Sequence, residues 1–230
     1  FRPHTDTHYA YFLEPSKNGR LYFGGRRERT GTGGGVGFYD PAKKSFGGHH
    51  EALNFLKPRG MVVMDEQERV IYSGVVQEDP GSTGKMPTEA QLVCYDMKLK
   101  EVERITVRPK LQNTGGLYKV SPTQIIGLAS EKGIYRYDLA QKKCLNWISL
   151  PFEMTGAKAQ KPDDRSIWAI MGPKTLVRVD PSTCRVDIAG EFDAPVTCMT
   201  WVGDELYVTT GGGTGYLAGS ELHKVILKLP

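Results

Sequence analysis

A short string of residues recurs along the 230-residue chain and limits the folds that the chain can adopt. In residues 133–144 it consists of a run of β-forming residues, then Asp138, then a polar turn that carries lysines. Related strings occur at 36–41, 92–97 and 176–181, with a degenerate copy at 222–226. The aligned residues are Tyr39, Tyr95, Tyr137, Val179 and Val225, which stand 56, 42, 42 and 46 residues apart. The chain is therefore predicted to repeat one structural unit.

The spacing of these copies is typical of a four-stranded propeller blade. In each copy the aspartate is expected to accept hydrogen bonds from backbone N–H groups just beyond it, which closes a turn before the next strand. The sequence therefore predicts an all-β β-propeller with about five four-stranded blades. The predicted blades comprise approximately residues 1–50, 51–110, 111–150, 151–190 and 191–230. Because repeats bury their apolar faces against neighbouring repeats, we expect a single propeller domain or a fragment of one.

The fifth copy ends after its third predicted strand. Two alternatives follow: a ring of about five blades that closes imperfectly, or part of a larger ring of about six to eight blades. The second is slightly favoured because residues 1–8 contain Pro3 and several polar groups, which do not favour an outer strand.

The segment Gly-Arg-Leu-Tyr-Phe-Gly at 19–24, followed by a glycine-rich loop and Gly-Phe-Tyr-Asp-Pro at 37–41, resembles the superfamily of NHL, YVTN and lyase-type propellers. The strands are similar in style to those of the virginiamycin-lyase-like subgroup, but the catalytic positions of that subgroup find no match residue by residue, and none is transferred. The superfamily includes lyases, hydrolases, lactonases and binding modules. The resemblance therefore implies a fold and leaves the function open.

Composition argues against several classes of protein. Mean hydropathy is −0.38 and no apolar run approaches the ~18 residues of a membrane span, so no membrane association is expected. The net charge of +4 is small and the basic residues are scattered, so no nucleic-acid partner is expected. The chain opens on Phe1 without the apolar stretch of a signal peptide, as a processed product would, which slightly favours a secreted or periplasmic location. The cysteines form no Cys-x-x-Cys pair and are expected to pack as thiols: Cys94, Cys144, Cys184 and Cys198.

Long, glycine-bearing connections are predicted at one end of the blades and short turns at the other. The long connections are residues 24–35, 47–60, 76–89 and 209–220. Because rigid strands fix the base of such loops while the loop shapes vary, binding residues are expected at this end.

His4, Asp6 and His8 would share one face of an extended strand, but they are expected to be solvated, and no metal site is predicted. The sequence identifies no cofactor.

Residues at the entry of each first strand align at the mouth of the predicted channel: His8, Arg59, Thr114, Thr155 and Thr197. The guanidinium of Arg59 suits a carboxylate or phosphate, and His8 is a candidate general acid or base. The alternatives are an ion pair between Arg59 and a neighbouring loop, and a structural imidazole at His8. Arg26 and Arg27 are further candidates for binding an anion, and Tyr216 for stacking on a sugar or an aromatic ligand.

Three functions are compatible with these residues. The first is a ligand-binding propeller that takes a small polar or anionic molecule, such as a saccharide, at the mouth of the channel. The second is a lyase or hydrolase that acts on an acidic glycan there, with His8 as base and Arg59 neutralising a carboxylate. The third is a scaffold for protein interactions. The sequence favours the first, and leaves open whether the protein is an enzyme and what its oligomeric state is.

Overall fold

A computed structural model describes residues 7–27, 34–49, 53, 56–76, 87–129, 132–151, 154, 157–161, 163, 165–211 and 220–227. In this part of the chain the regular secondary structure comprises strands and a single turn of 3-10 helix at Asp65–Gln67. The strands are β1 Thr7–Pro15, β2 Leu21–Arg27, β3 Gly34–Asp40, β4 Ser45–His49, β5 Lys57–Met64, β6 Arg69–Val75, β7 Leu92–Asp96, β8 Glu101–Ile105, β9 Gly116–Lys119, β10 Gln124–Ala129, β11 Gly133–Asp138, β12 Lys143–Ser149, β13 Lys158–Gln160, β14 Ile167–Met171, β15 Thr175–Val179, β16 Val186–Glu191, β17 Val196–Val202, β18 Glu205–Gly211 and β19 Ser220–Val225.

The strands form five sheets in which neighbours in the chain are also neighbours in the sheet. Four sheets have four strands each, β1–β4, β5–β8, β9–β12 and β13–β16, and the described part of the fifth has three, β17–β19. The predicted all-β β-propeller with about five blades is therefore confirmed. The aligned residues of the repeat lie, as predicted, on the third strand of each sheet: Tyr39, Tyr95, Tyr137, Val179 and Val225.

In the first four repeats an aspartate closes the turn between the third and fourth strands. Asp138 accepts hydrogen bonds from the backbone N–H groups of Ala140 and Gln141, both at 2.9 Å. Three more aspartates accept backbone N–H groups in the same way: Asp40, Asp96 and Asp180. Cys184 lies in the last of these turns with a left-handed φ of 60°, and β16 begins at Val186. The carboxylate thus supplies the turn closure that the sequence predicts.

The chain groups into two compact units, residues 1–131 with 137–145 and residues 132–136 with 146–230. In the first unit, buried tyrosines join the first two sheets. The hydroxyl of Tyr22 donates to the carbonyl of Met97 at 2.8 Å, and that of Tyr72 donates to the carbonyl of Phe23 at 2.9 Å. Each ring is buried while its hydroxyl keeps a hydrogen bond, so the apolar area is gained without an unsatisfied polar group.

In the second unit, two tryptophans lie at the centre of the packing between the fourth and fifth sheets. The rings of Trp168 and Trp201 meet edge to face, with centroids 5.8 Å apart. Trp168 is 1% exposed, and its Nε1 donates to the hydroxyl of Ser166 at 3.0 Å. Met199 and Val208 belong to the same buried cluster. That all the repeats form a single domain stays a prediction.

The first strand of each sheet meets the first strand of its neighbour within a unit. In the first unit β5 contacts both β1 and β9, and in the second β13 contacts β17. This is the place of the inner strand of a propeller blade. Residues on first strands therefore lie beside the first strand of a neighbouring blade within the same unit.

Candidate functional site

The first strands of the second and fifth sheets carry a β-bulge at the end where the site is predicted. On β5, Pro58 and Gly60 face consecutive residues of β6, so Arg59 is the extra residue of the bulge. On β17, Val196 and Cys198 face consecutive residues of β18, so Thr197 is the extra residue. A bulge leaves its extra residue unpaired in the ladder and re-aims the side chain, and bulges are enriched beside functional sites.

The first strand of the first sheet has two such irregularities. Tyr11 is the extra residue between Ala10 and Phe12, and His8 is the extra residue between Thr7 and Tyr9. In each of these sheets, the aligned residue of the third strand pairs with one residue of the second strand, and that second-strand residue gives a common starting point. Counted along the second strand from that point, Tyr11, Arg59 and Thr197 lie at the same level. We call Tyr11, Arg59 and Thr197 the bulge positions. His8, which the sequence aligned with Arg59, lies at the outer irregularity instead.

Tyr11 and Arg59 both offer accessible side chains within the first unit. Arg59 is exposed, and Tyr11 keeps 51% of its surface exposed. Their strands β1 and β5 are in contact. An aromatic ring and a guanidinium therefore stand at equivalent levels of adjacent first strands.

Thr114 has a structural role that the sequence did not reveal. Its hydroxyl is fully buried, accepts the N–H of Gly74 at 2.9 Å and donates to the carbonyl of Gly74 at 3.0 Å. The residue level with Arg59 in the third sheet is Gly115, whose φ of +74° is left-handed. A Cβ added there would lie 1.8 Å from the carbonyl oxygen of Leu128, so this level carries no side chain on the third sheet.

Thr197 and the loop end of the fifth sheet form a polar row. The hydroxyl of Thr197 lies 2.9 Å from that of Thr209 on the adjacent strand. Nearby, His223 Nε2 lies 2.7 Å from the hydroxyl of Thr210 and 3.4 Å from the carboxylate of Glu221. Sequence analysis did not select His223, because nothing in the string around it distinguishes it from a strand residue.

The other predicted site residues fall outside what the structure describes. Thr155 and Tyr216 lie outside the described residues, as do the side chains of His8, Arg26 and Arg27. The strand registers do place the backbone of His8 opposite Arg26 and Arg27. In the first, second and fifth sheets, the start of the first strand pairs with the end of the second strand. The first strand therefore begins at the same end of the sheet as the long connection that follows the second strand.

Glu14 lies on the same strand as Tyr11 and has an unusual pKa. Its side chain has a large accessible area yet is crowded by protein, and this desolvation raises the pKa of its carboxyl to about 7. The pKa of the Tyr118 hydroxyl on β9 is raised as well, mainly by desolvation and to a smaller extent by the negative charge of Glu14. Glu14 therefore changes its charge near neutral pH.

Replacing Glu14 by glutamine should remove a pH-dependent loss of stability. Because the folded-state pKa is raised, the folded protein holds a proton that the unfolded chain releases, and stability falls as pH rises through this interval. Relative to Glu14→Gln, the wild type should lose stability between about pH 5 and pH 8 in urea unfolding. Glu66 is the control, because hydrogen bonds from Lys119 hold the pKa of its carboxyl at about 2. The difference between wild type and Glu66→Gln should stay constant over this interval, and a constant difference for Glu14→Gln as well would refute the assignment.

Within the described ranges, no group of three or more His, Cys, Asp or Glu residues is arranged to hold a metal ion. No helix among these described residues is long and apolar enough to cross a membrane. Cys94 and Cys184 are buried, and burial raises the pKa of the Cys94 thiol to about 12.

The fold defines this chain as a β-propeller. A search of solved structures finds a Dos1 propeller with a TM-score of 0.60 and 13% sequence identity, over 86% of this chain and 51% of that one. The chain thus spans about half the length of this structural neighbour. No protein-family model matches the sequence. No curated protein matches it either. The search matches 1201 solved chains, and a likeness at 13% identity shows architecture and does not choose a function.

Proposed function

We propose that the protein is a recognition propeller that binds a small anionic molecule with a ring, such as an acidic saccharide, at Tyr11 and Arg59, the bulge positions of β1 and β5. The observation that carries this proposal is the pair of exposed side chains Tyr11 and Arg59 at equivalent levels of β1 and β5. The fold itself does not indicate a ligand, so the ligand class is inferred from the chemistry of these two side chains.

The two side chains have complementary roles. A guanidinium presents a planar fork of donors that matches a carboxylate or phosphate in two parallel hydrogen bonds. A tyrosine ring offers a flat face for a sugar or aromatic ring and a hydroxyl for a further hydrogen bond. Strands hold the backbone of both residues, so the ordering cost of binding is confined mainly to their side chains.

Calorimetric titration with matched saccharides tests the proposal. The probes are a uronate-containing oligosaccharide and the same oligosaccharide with each carboxylate reduced to a hydroxyl. We expect binding of the acidic probe and binding at least about 10-fold weaker of the reduced one, since charge-assisted hydrogen bonds contribute about 1.5–3 kcal/mol. Equal affinities, or no binding of either probe, would count against an anion site.

The enzyme alternative is tested in the same samples. A lyase or hydrolase that uses His8 as its base should convert the acidic probe to shorter products, and His8→Ala should abolish turnover while affinity is largely kept. A binding module leaves the probe intact.

A further inference from the structure

The backbone on both sides of Arg59 is packed against neighbouring sheets of the first unit. Pro58 and Gly60, which flank the extra residue of the bulge, are both buried, whereas Arg59 itself is exposed. The bulge gives Arg59 no partner of its own on β6. The direction of its side chain therefore depends on how the two flanking residues are held.

On one side, the ring of Pro58 fits against glycines of the first sheet. A Cβ added to Gly34 on β3 would lie 2.3 Å from Cδ of Pro58, and one added to Gly24 on β2 would lie 3.7 Å from Cβ of Pro58. Gly34 does not have a left-handed φ. Glycine is therefore required at this position for space rather than for backbone conformation, because any side chain would push the proline ring away.

On the other side, Gly60 lies directly against β9 of the third sheet. A Cβ there would lie 2.7 Å from the backbone nitrogen of Leu117 and 2.9 Å from the carbonyl oxygen of Gly115. The hydroxyl of Ser73 on β6 donates to the same carbonyl of Gly115 and lies 3.4 Å from the carbonyl oxygen of Gly60. Backbone meets backbone here without an intervening side chain, so a movement of β5 would collide with the third sheet.

The other two bulge positions lack such flanking residues. Tyr11 is flanked by an alanine and a phenylalanine, and Thr197 by a valine and a cysteine. In β5, the proline has a fixed φ and no N–H to donate to the ladder, and the glycine allows the close approach to β9. The bulge at Arg59 is therefore held from both sides.

We infer that Gly34 and Pro58 are positioning residues of the anion site. Their contact, together with the seat of Gly60 against β9, locks the bulge so that Arg59 remains the extra residue and its guanidinium points to the ligand. If the bulge moved by one residue, the side chain of Arg59 would turn to the other face of the sheet, because side chains alternate along a strand. This inference rests on the proposed function, since it concerns the same site.

Two opposite changes at the contact test the inference by calorimetric titration with the uronate-containing oligosaccharide. Gly34→Ala overfills the contact and Pro58→Ala empties it, and each should weaken binding by at least about 3-fold, up to the loss for Arg59→Ala. In an Arg59→Ala background neither change should weaken binding further, because both residues act through Arg59. Pro58→Ala removes atoms and adds none, so it carries the test if Gly34→Ala does not fold.

The matched control is Gly190→Ala, where a Cβ would meet nothing within 4 Å. This variant should bind the oligosaccharide as the wild type does. Losses from Gly34→Ala or Pro58→Ala that persist in the Arg59→Ala background would show a general structural effect and overturn the inference. Unchanged affinity in both variants would overturn it as well.

Backbone relaxation measured by NMR detects the lock without a ligand, so it separates a failure of the lock from a failure of the proposed function. We expect an order parameter of about 0.85 for the Arg59 amide of the wild type, the value of rigid backbone, and a lower value in Pro58→Ala. A flexible Arg59 amide in the wild type, or equal values in the two proteins, would overturn the lock. A rigid amide in a wild type that does not bind the oligosaccharide would instead overturn the anion site.

Discussion

Replacing Gly115 by alanine should destabilise the first unit by about 2–5 kcal/mol, which is the sum of two costs. An alanine in the left-handed region costs about 1–2 kcal/mol. Forcing a Cβ into a packed backbone typically costs about 1–3 kcal/mol more. At Gly115 both apply, because its φ is +74° and its Cβ would lie 1.8 Å from the carbonyl oxygen of Leu128.

Gly19→Ala is the matched control for this substitution. Gly19 is also left-handed, at φ +83°, but a Cβ there would meet nothing within 4 Å. We therefore expect only the conformational cost of about 1–2 kcal/mol in urea unfolding of this variant. If Gly115→Ala proves no more destabilising than Gly19→Ala, the close contact between Leu128 and Gly115 in the structure is wrong.

Replacing Arg59 by alanine should weaken binding of the acidic saccharide by about 10- to 150-fold. This range corresponds to the loss of charge-assisted hydrogen bonds worth about 1.5–3 kcal/mol. Arg59→Lys should recover part of the affinity, because an ammonium keeps the charge and loses the planar fork. The measurement is calorimetric titration of each variant, with circular dichroism to verify folding.

Arg104→Ala is the control with the same change of charge. Arg104 lies on the outer strand β8 and contacts the carboxylate of Glu101 at 2.6 Å. Its loss should leave the affinity within about 2-fold of wild type, because long-range charges at the surface are screened. Equal losses in the Arg59 and Arg104 variants would show that net charge, rather than a specific site, governs binding.

The repeat made the architecture predictable. A strand followed by aspartate and a turn carries local information, because the carboxylate can close the turn with backbone groups only a few residues away. Tyr137 and Asp138, for example, lie on β11 and at its end, as the string predicts. The start of β5 was harder to predict from the sequence, since Pro58 and Arg59 are typical of a loop. Proline is tolerated there because the first strand lies at the edge of its sheet and is bulged at this point.

The level of the site residues was only partly predictable. Arg59 and Thr197 do share a level, but Tyr11 rather than His8 is their counterpart on β1, and Gly115 rather than Thr114 is their counterpart in the third sheet. A bulge adds one residue to a strand without any change in strand-forming composition, so counting residues from a turn misses it. His8 lies three residues before Tyr11, at the second irregularity of β1.

Chemical-shift mapping of the bound acidic saccharide tests the proposed site most directly. In a titration followed by two-dimensional NMR, the largest shifts should fall on the backbone amides of Tyr11 and Arg59 and on their bulged neighbours. The turns at the opposite end of the first two sheets, around Asp40 and Asp96, should remain unchanged. Shifts confined to those turns, or absent from both bulges at saturating ligand, would contradict a recognition site on the first strands.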